Sequence, residues 1–170
     1  MYSKAKIGGH PIHPMLIAFP VAFYTATFVA FIVYAADRGM FAFHFAVTSN
    51  IIGVVMAAVA AIPGTIDLFF GIPERARAKR DGLLHAGFNV FALLLFLINA
   101  IVMGRQWNWV RPYAALPVVL SLFGLLCTLV AGTLGWTLVQ SHHVGVVLTP
   151  EQERLERLGE VRGPTEVPVT

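Results

Sequence analysis

The sequence predicts an all-α protein: a four-helix transmembrane bundle with both termini in the cytoplasm and a short amphipathic helix in the C-terminal tail. Three observations carry this. Hydrophobic residues make up 57% of the 170-residue chain and charged residues 12%, about half the ~25% charged share of a soluble domain. Four stretches almost free of charge, 15–36, 41–70, 83–103 and 116–139, each reach the ~20 residues with which an α-helix crosses roughly 30 Å of hydrocarbon. The alternating pattern of a membrane barrel strand is absent, and a helix satisfies its own backbone in lipid.

Four crossings place the N-terminus, the 71–82 loop and the tail on one side. That side holds Lys4, Lys6, Arg75, Arg77, Lys79, Arg80, Arg154, Arg157 and Arg162, against Arg38, Arg105 and Arg111 on the other. The excess of Lys and Arg puts the termini in the cytoplasm. Topology therefore accounts for the net charge of +3 without a nucleic-acid partner. The first apolar run has the length of a full span and no small-residue cleavage site near its end, so it reads as an uncleaved helix. Cys127, the single cysteine, lies mid-helix and leaves no intrachain disulfide or thiolate cluster.

Each element has its own signals. Proline suits the first position of a helix, which starts the first span at Pro14, and Pro20 should kink it and free a carbonyl. Asp37-Arg38-Gly39 is a tight turn. The second helix carries Gly53, Ala57 and Ala61 at four-residue spacing, a stripe that admits a close neighbour, before Pro63-Gly64 disturbs its end. His85 and Asn89 share a face of the third helix. Trp107, Trp109 and Tyr113 suit the outer headgroup region. The fourth helix repeats the small stripe at Gly124, Thr128 and Gly132. Thr149, Pro150 and Gln152 form a capping box for a short tail helix, and 163–170 reads as a disordered end. Residues 1–146 thus form the four-helix transmembrane domain and 147–170 the tail. No repeat between the two halves stands out, which gives an inverted-repeat transporter little support.

Polar residues converge by depth. His10 and His13 open the first span, Asp67 ends the second, His85 opens the third, and His142 and His143 follow the fourth. Five of the six histidines and one carboxylate reach the same membrane face. Imidazole with carboxylate suits copper, zinc or iron, making His10, His13, Asp67 and His85 the candidate metal ligands. Two histidines on facing helices would alternatively suit the axial positions of haem b. His13 and His85 are the natural pair, with Asn89 one turn deeper. Asp67 could orient a histidine through its second ring nitrogen. Against this stands a plain reading: interfacial histidines hold headgroups or cap helix ends, and Asp67 pairs with Arg75 or Arg77. His44, near the opposite face without a second histidine to match, reads as structural.

The stretches "GHPIHPMLIAFP", "GTIDLFFGIP" to "LLHAGFN", and "GTLGWTLVQSHHVGV" resemble the bacterial membrane family labelled domain of unknown function 2231, over about residues 8 to 146. The resemblance implies a compact four-helix domain of a bacterial inner membrane. Some members are fused to iron–sulfur or cytochrome-like domains, which implies redox work without fixing a reaction. The positions matching its pattern are His10, His13, Asp67, His85 and Asn89. "QSHHVGVV" departs from the usual Gly-Val-Gly-type ending.

Three functions follow as expectations. One is electron transfer through a haem b or transition-metal site at His13 and His85. A second is a non-catalytic accessory subunit that uses its small-residue stripes within a larger respiratory or photosynthetic membrane complex, or within a homo-oligomer. The third and weakest is a transporter, since no acidic residue lies mid-span. Nothing marks a phosphate loop or a nucleophile elbow, so an enzyme with its own substrate is not expected.

Overall fold

The computed structural model describes residues 3–162; the expected disordered end, 163–170, lies outside them. A two-residue strand β1 (Lys6–Ile7) pairs antiparallel with β2 (His10–Pro11). Gly8 and Gly9, with φ of 57° and 85°, make the turn between them, a backbone that two consecutive glycines adopt without steric cost. This small hairpin was not legible in the apolar pattern. The helices follow: α1 (Ile12–Leu16), α2 (Ala18–Asp37), α3 (Met40–Ile66), α4 (Arg77–Gly104), α5 (Ala115–Gln140) and α6 (Pro150–Arg162). Four segments are long and apolar enough to cross a membrane: Ile12–Asp37, Met40–Gly71, Arg77–Gly104 and Ala115–Gln140. Four crossings return the chain to the side it started from, here called the terminal face.

The prolines act as their chemistry requires, with shifted boundaries. The first span begins at Ile12 rather than Pro14. Pro14 then sits in the first turn, where its missing N–H would have had no partner. Pro20 has no N–H to give the Leu16 carbonyl, and the helix breaks at Ile17 between α1 and α2. Pro63 is carried inside α3 instead of ending it; the disturbance comes four residues later, as a π-helical turn over Asp67–Gly71. Such a turn shifts the carbonyl register. Lys79, 9% exposed, donates its Nζ to the Leu68 carbonyl there at 2.7 Å. In the tail the capping box forms as read: the Gln152 side chain accepts from Thr149 N at 2.9 Å, and Thr149 Oγ1 accepts from Gln152 N at 3.3 Å.

The bundle is two helix hairpins, α2–α3 and α4–α5, joined through α2 against α5 and α3 against α4. Their contacts follow one plan. The Tyr24 and Phe96 rings stack 3.6 Å apart and nearly parallel, at 4°. Gly53 backs Tyr24 and Gly124 backs Phe96: a Cβ on either would lie 2.8 Å or 2.6 Å from a ring carbon. Eleven residues away on every helix, about three turns, the arrangement recurs with His13 and His85 as the rings and Gly64 and Gly135 as their backing. His13 and His85 are 72 positions apart, as are Tyr24 and Phe96. Gly53 and Gly124, and Gly64 and Gly135, are 71 apart. The halves therefore correspond, contrary to the sequence reading. The correspondence runs in the same direction in both halves, so it is a parallel repeat and not the inverted kind. Gly53 and Gly124, the stripe glycines that could have received a partner's helix, are filled by the chain's own rings.

Candidate functional site

Two helix starts and two helix ends build the histidine layer at the terminal face. His13 lies in α1 and His85 in the third turn of α4, so both side chains enter from the same direction. The ring centroids are 6.1 Å apart with planes at 88°. His13 Nδ1 lies 2.8 Å from the Ala60 carbonyl, and His85 Nδ1 lies 2.8 Å from the Ala131 carbonyl. A carbonyl oxygen can only accept, so each Nδ1 carries the proton and donates it. In the neutral ring Nε2 is then the nitrogen with the lone pair. Ala60 and Ala131 are again 71 positions apart, each one turn before the glycine that backs the ring.

The layer is not symmetric throughout. Asn89 Nδ2 donates to the His85 carbonyl at 2.9 Å and to His85 Nε2 at 3.2 Å. The corresponding position in the first half is Ile17, which has no donor. The two imidazoles therefore share an anchor and differ in their polar neighbour. Both are half-buried and Asn89 is exposed, so the pair can be reached from the bundle surface.

The other expected ligands have surroundings of their own. His10 is exposed on β2. Asp67 holds the N-terminal segment: its Oδ1 accepts from the backbone N–H of Lys4 at 2.6 Å and Ala5 at 3.0 Å, and its Oδ2 accepts from Ser3 Oγ at 2.7 Å. It neither orients a histidine nor pairs with Arg75 or Arg77. Two backbone N–H groups and a hydroxyl from the residues before β1 thus occupy both of its oxygens. Of His10, His13, Asp67 and His85, the structure brings the rings of His13 and His85 into contact. Among the described residues no group of three or more His, Cys, Asp or Glu side chains is placed to hold a metal ion.

His142 pairs with Asp81 through Nε2 and Oδ2 at 2.8 Å, tying the end of α5 to the start of α4. His44 packs against Trp107 with centroids 4.2 Å apart and planes tilted by 33°, and shares a hydrogen bond of 3.0 Å with its carbonyl, in keeping with a structural role near the opposite face. The residues that sequence reasoning missed are backbone ones, the Ala60 and Ala131 carbonyls and the bare Cα positions of Gly64 and Gly135. Their signal was the shared spacing of eleven residues, visible only once the helices had been matched.

Comparison with known proteins agrees with this geometry in extent. No curated protein and no solved structure matches the chain. A family model described as predicted membrane protein (DUF2231) matches residues 9–148, from just before β2 to the loop after α5. The chain belongs to this family of membrane proteins, domain of unknown function 2231.

Proposed function

We propose that this integral membrane protein is an electron carrier whose working site is the His13–His85 pair, on the cytoplasmic face of a bacterial inner membrane. The observation that carries the reading is the matched anchoring of the two rings. Each Nδ1 is committed to a helix carbonyl, which leaves the two Nε2 atoms to ligate, that of His85 by exchanging its hydrogen bond from Asn89 for the metal. His13 and His85 would hold a haem b iron, or a copper or iron ion, and that group would supply the one-electron chemistry. Zinc would fit the nitrogens but would carry no electron. Asn89 supplies a donor beside His85 for a propionate or another oxygen ligand.

The cytoplasmic placement rests on the Lys and Arg excess of the terminal face. It is checked by reacting a cysteine introduced at Glu153 with a membrane-impermeant thiol reagent in intact and opened cells. Labelling before opening would reverse the orientation.

The function is tested by visible absorption of the purified protein, oxidised and then dithionite-reduced, together with metal analysis. A Soret band that shifts on reduction, or stoichiometric copper or iron, is expected in the native chain. His13→Ala and His85→Ala should each lose it while remaining folded. Full occupancy in both variants would overturn the assignment.

A further inference from the structure

Between the stacked Tyr24–Phe96 pair and the opposite face lies a layer to which every long helix contributes one polar side chain. Thr27 and Asn99 are three residues beyond Tyr24 and Phe96, and Asn50 and Ser121 are three residues before Gly53 and Gly124. Helix direction alternates, so all four displacements run the same way, one turn towards the opposite face. All four residues are 0% exposed. They also obey the hairpin correspondence, Thr27 with Asn99 and Asn50 with Ser121. The layer is closed on one side by the Tyr24–Phe96 stack and on the other by the apolar cluster of Phe31, Tyr34, Phe43, Val47 and Met103.

Its hydrogen bonding is incomplete. Thr27 Oγ1 donates to the Phe23 carbonyl at 2.7 Å, while Ser121 Oγ at 2.6 Å and Asn99 Nδ2 at 3.3 Å both donate to the Pro117 carbonyl. Asn50 Nδ2, Asn50 Oδ1 and Asn99 Oδ1 are buried with no protein partner. Amides inside a bundle normally find each other or a backbone group, because lipid offers none. These two do not bond directly, although their side chains come from the facing helices α3 and α4.

We propose that this layer is a bound-water site, in which ordered water bridges the Asn50 amide to Asn99 Oδ1. The orphaned atoms include a donor, Asn50 Nδ2, and two acceptors. A bridging water needs two to four polar partners of both kinds. The Thr27 and Ser121 hydroxyls spend their protons on backbone carbonyls and retain acceptor lone pairs. A cation is disfavoured on the same grounds: the layer has no carboxylate to offset its charge, and an amide N–H₂ would face it. The bridge clasps the two hairpins through α3 and α4, in the half of the bundle away from the histidines.

Water-selective nuclear Overhauser and rotating-frame spectra of the detergent-solubilised full chain, labelled with ¹⁵N-asparagine, test this. The labelled side-chain amides are those of Asn50, Asn89, Asn99 and Asn108. Substituting the exposed pair, Asn89→Gln and Asn108→Gln, identifies the two buried signals by elimination and requires no change in the core. Cross-peaks from resident water to both buried amides are expected, and Asn50→Leu should abolish the one at Asn99. Three results would each overturn the proposal: absence of water cross-peaks at both amides, a direct Asn50–Asn99 amide contact in their place, or a melting temperature that follows sodium or potassium at constant ionic strength.

Discussion

His13 and His85 face each other with ring centroids 6.1 Å apart and planes at 88°, each anchored by Nδ1 to a carbonyl of the other helix in its own hairpin. Each ring leans on a glycine of that same helix. A Cβ on Gly64 would lie 2.8 Å from His13 Nδ1, and a Cβ on Gly135 would lie 3.1 Å from His85 Cε1. The first distance forces a displacement, while a small shift absorbs the second. Gly64→Ala should therefore reduce metal or haem occupancy more than Gly135→Ala does. Side-by-side metal analysis and absorption spectra of the two variants check the order. Equal occupancies would show that the backing glycines do not set the ring positions.

The stacked layer predicts a stability difference between glycines. Gly53→Ala and Gly124→Ala drive a methyl into Tyr24 and Phe96, and overpacking of this kind costs about 1–3 kcal/mol. Gly132→Ala meets nothing within 4 Å and should be neutral or slightly stabilising, because alanine restricts the unfolded chain. Thermal unfolding in detergent should separate the two classes by several degrees.

Asp67 gives a sharper discrimination. It binds Ser3, Lys4 and Ala5 and not the histidines, so Asp67→Ala should release the N-terminal segment and leave the spectrum and metal content intact. Limited trypsin digestion should cut at Lys4 and Lys6 markedly faster in the variant. If metal content fell with digestion unchanged, Asp67 would have to be returned to the ligand set.

The capping box is separable from the bundle. Thr149→Ala removes the Oγ1 that accepts from Gln152 N and should cost α6 about 0.5–2 kcal/mol. Amide chemical shifts of 150–162 should report partial loss of helix, while the melting temperature of the four-helix core stays unchanged.

The class of fold was legible because it depends on local quantities. Runs of apolar residues of sufficient length must become spanning helices whatever their neighbours, since lipid cannot satisfy a bare backbone. The same holds for the turn at Asp37–Gly39, where Gly39 N donates to Asp37 Oδ1 at 2.7 Å, and for the capping box. His13 and His85 could be paired because two spans running in one direction bring equivalent depths together. The role of Asp67 could not be read, since its partners are backbone amides more than sixty residues away and any sequence offers such amides everywhere. Nor could the hairpin correspondence be read: His13 corresponds to His85, but Tyr24 to Phe96, Thr27 to Asn99 and Asn50 to Ser121. Burial is kept across the last three pairs while residue identity is not.

Chain chemistry alone thus determined that this protein crosses a membrane four times and gathers histidines at one face, because hydrophobic length and charge placement act residue by residue. The tertiary structure decided which of those histidines meet, what anchors them, and which polar side chains share a buried layer. Those outcomes depend on which bare glycine stands opposite which ring, a relation that exists only after the helices have packed.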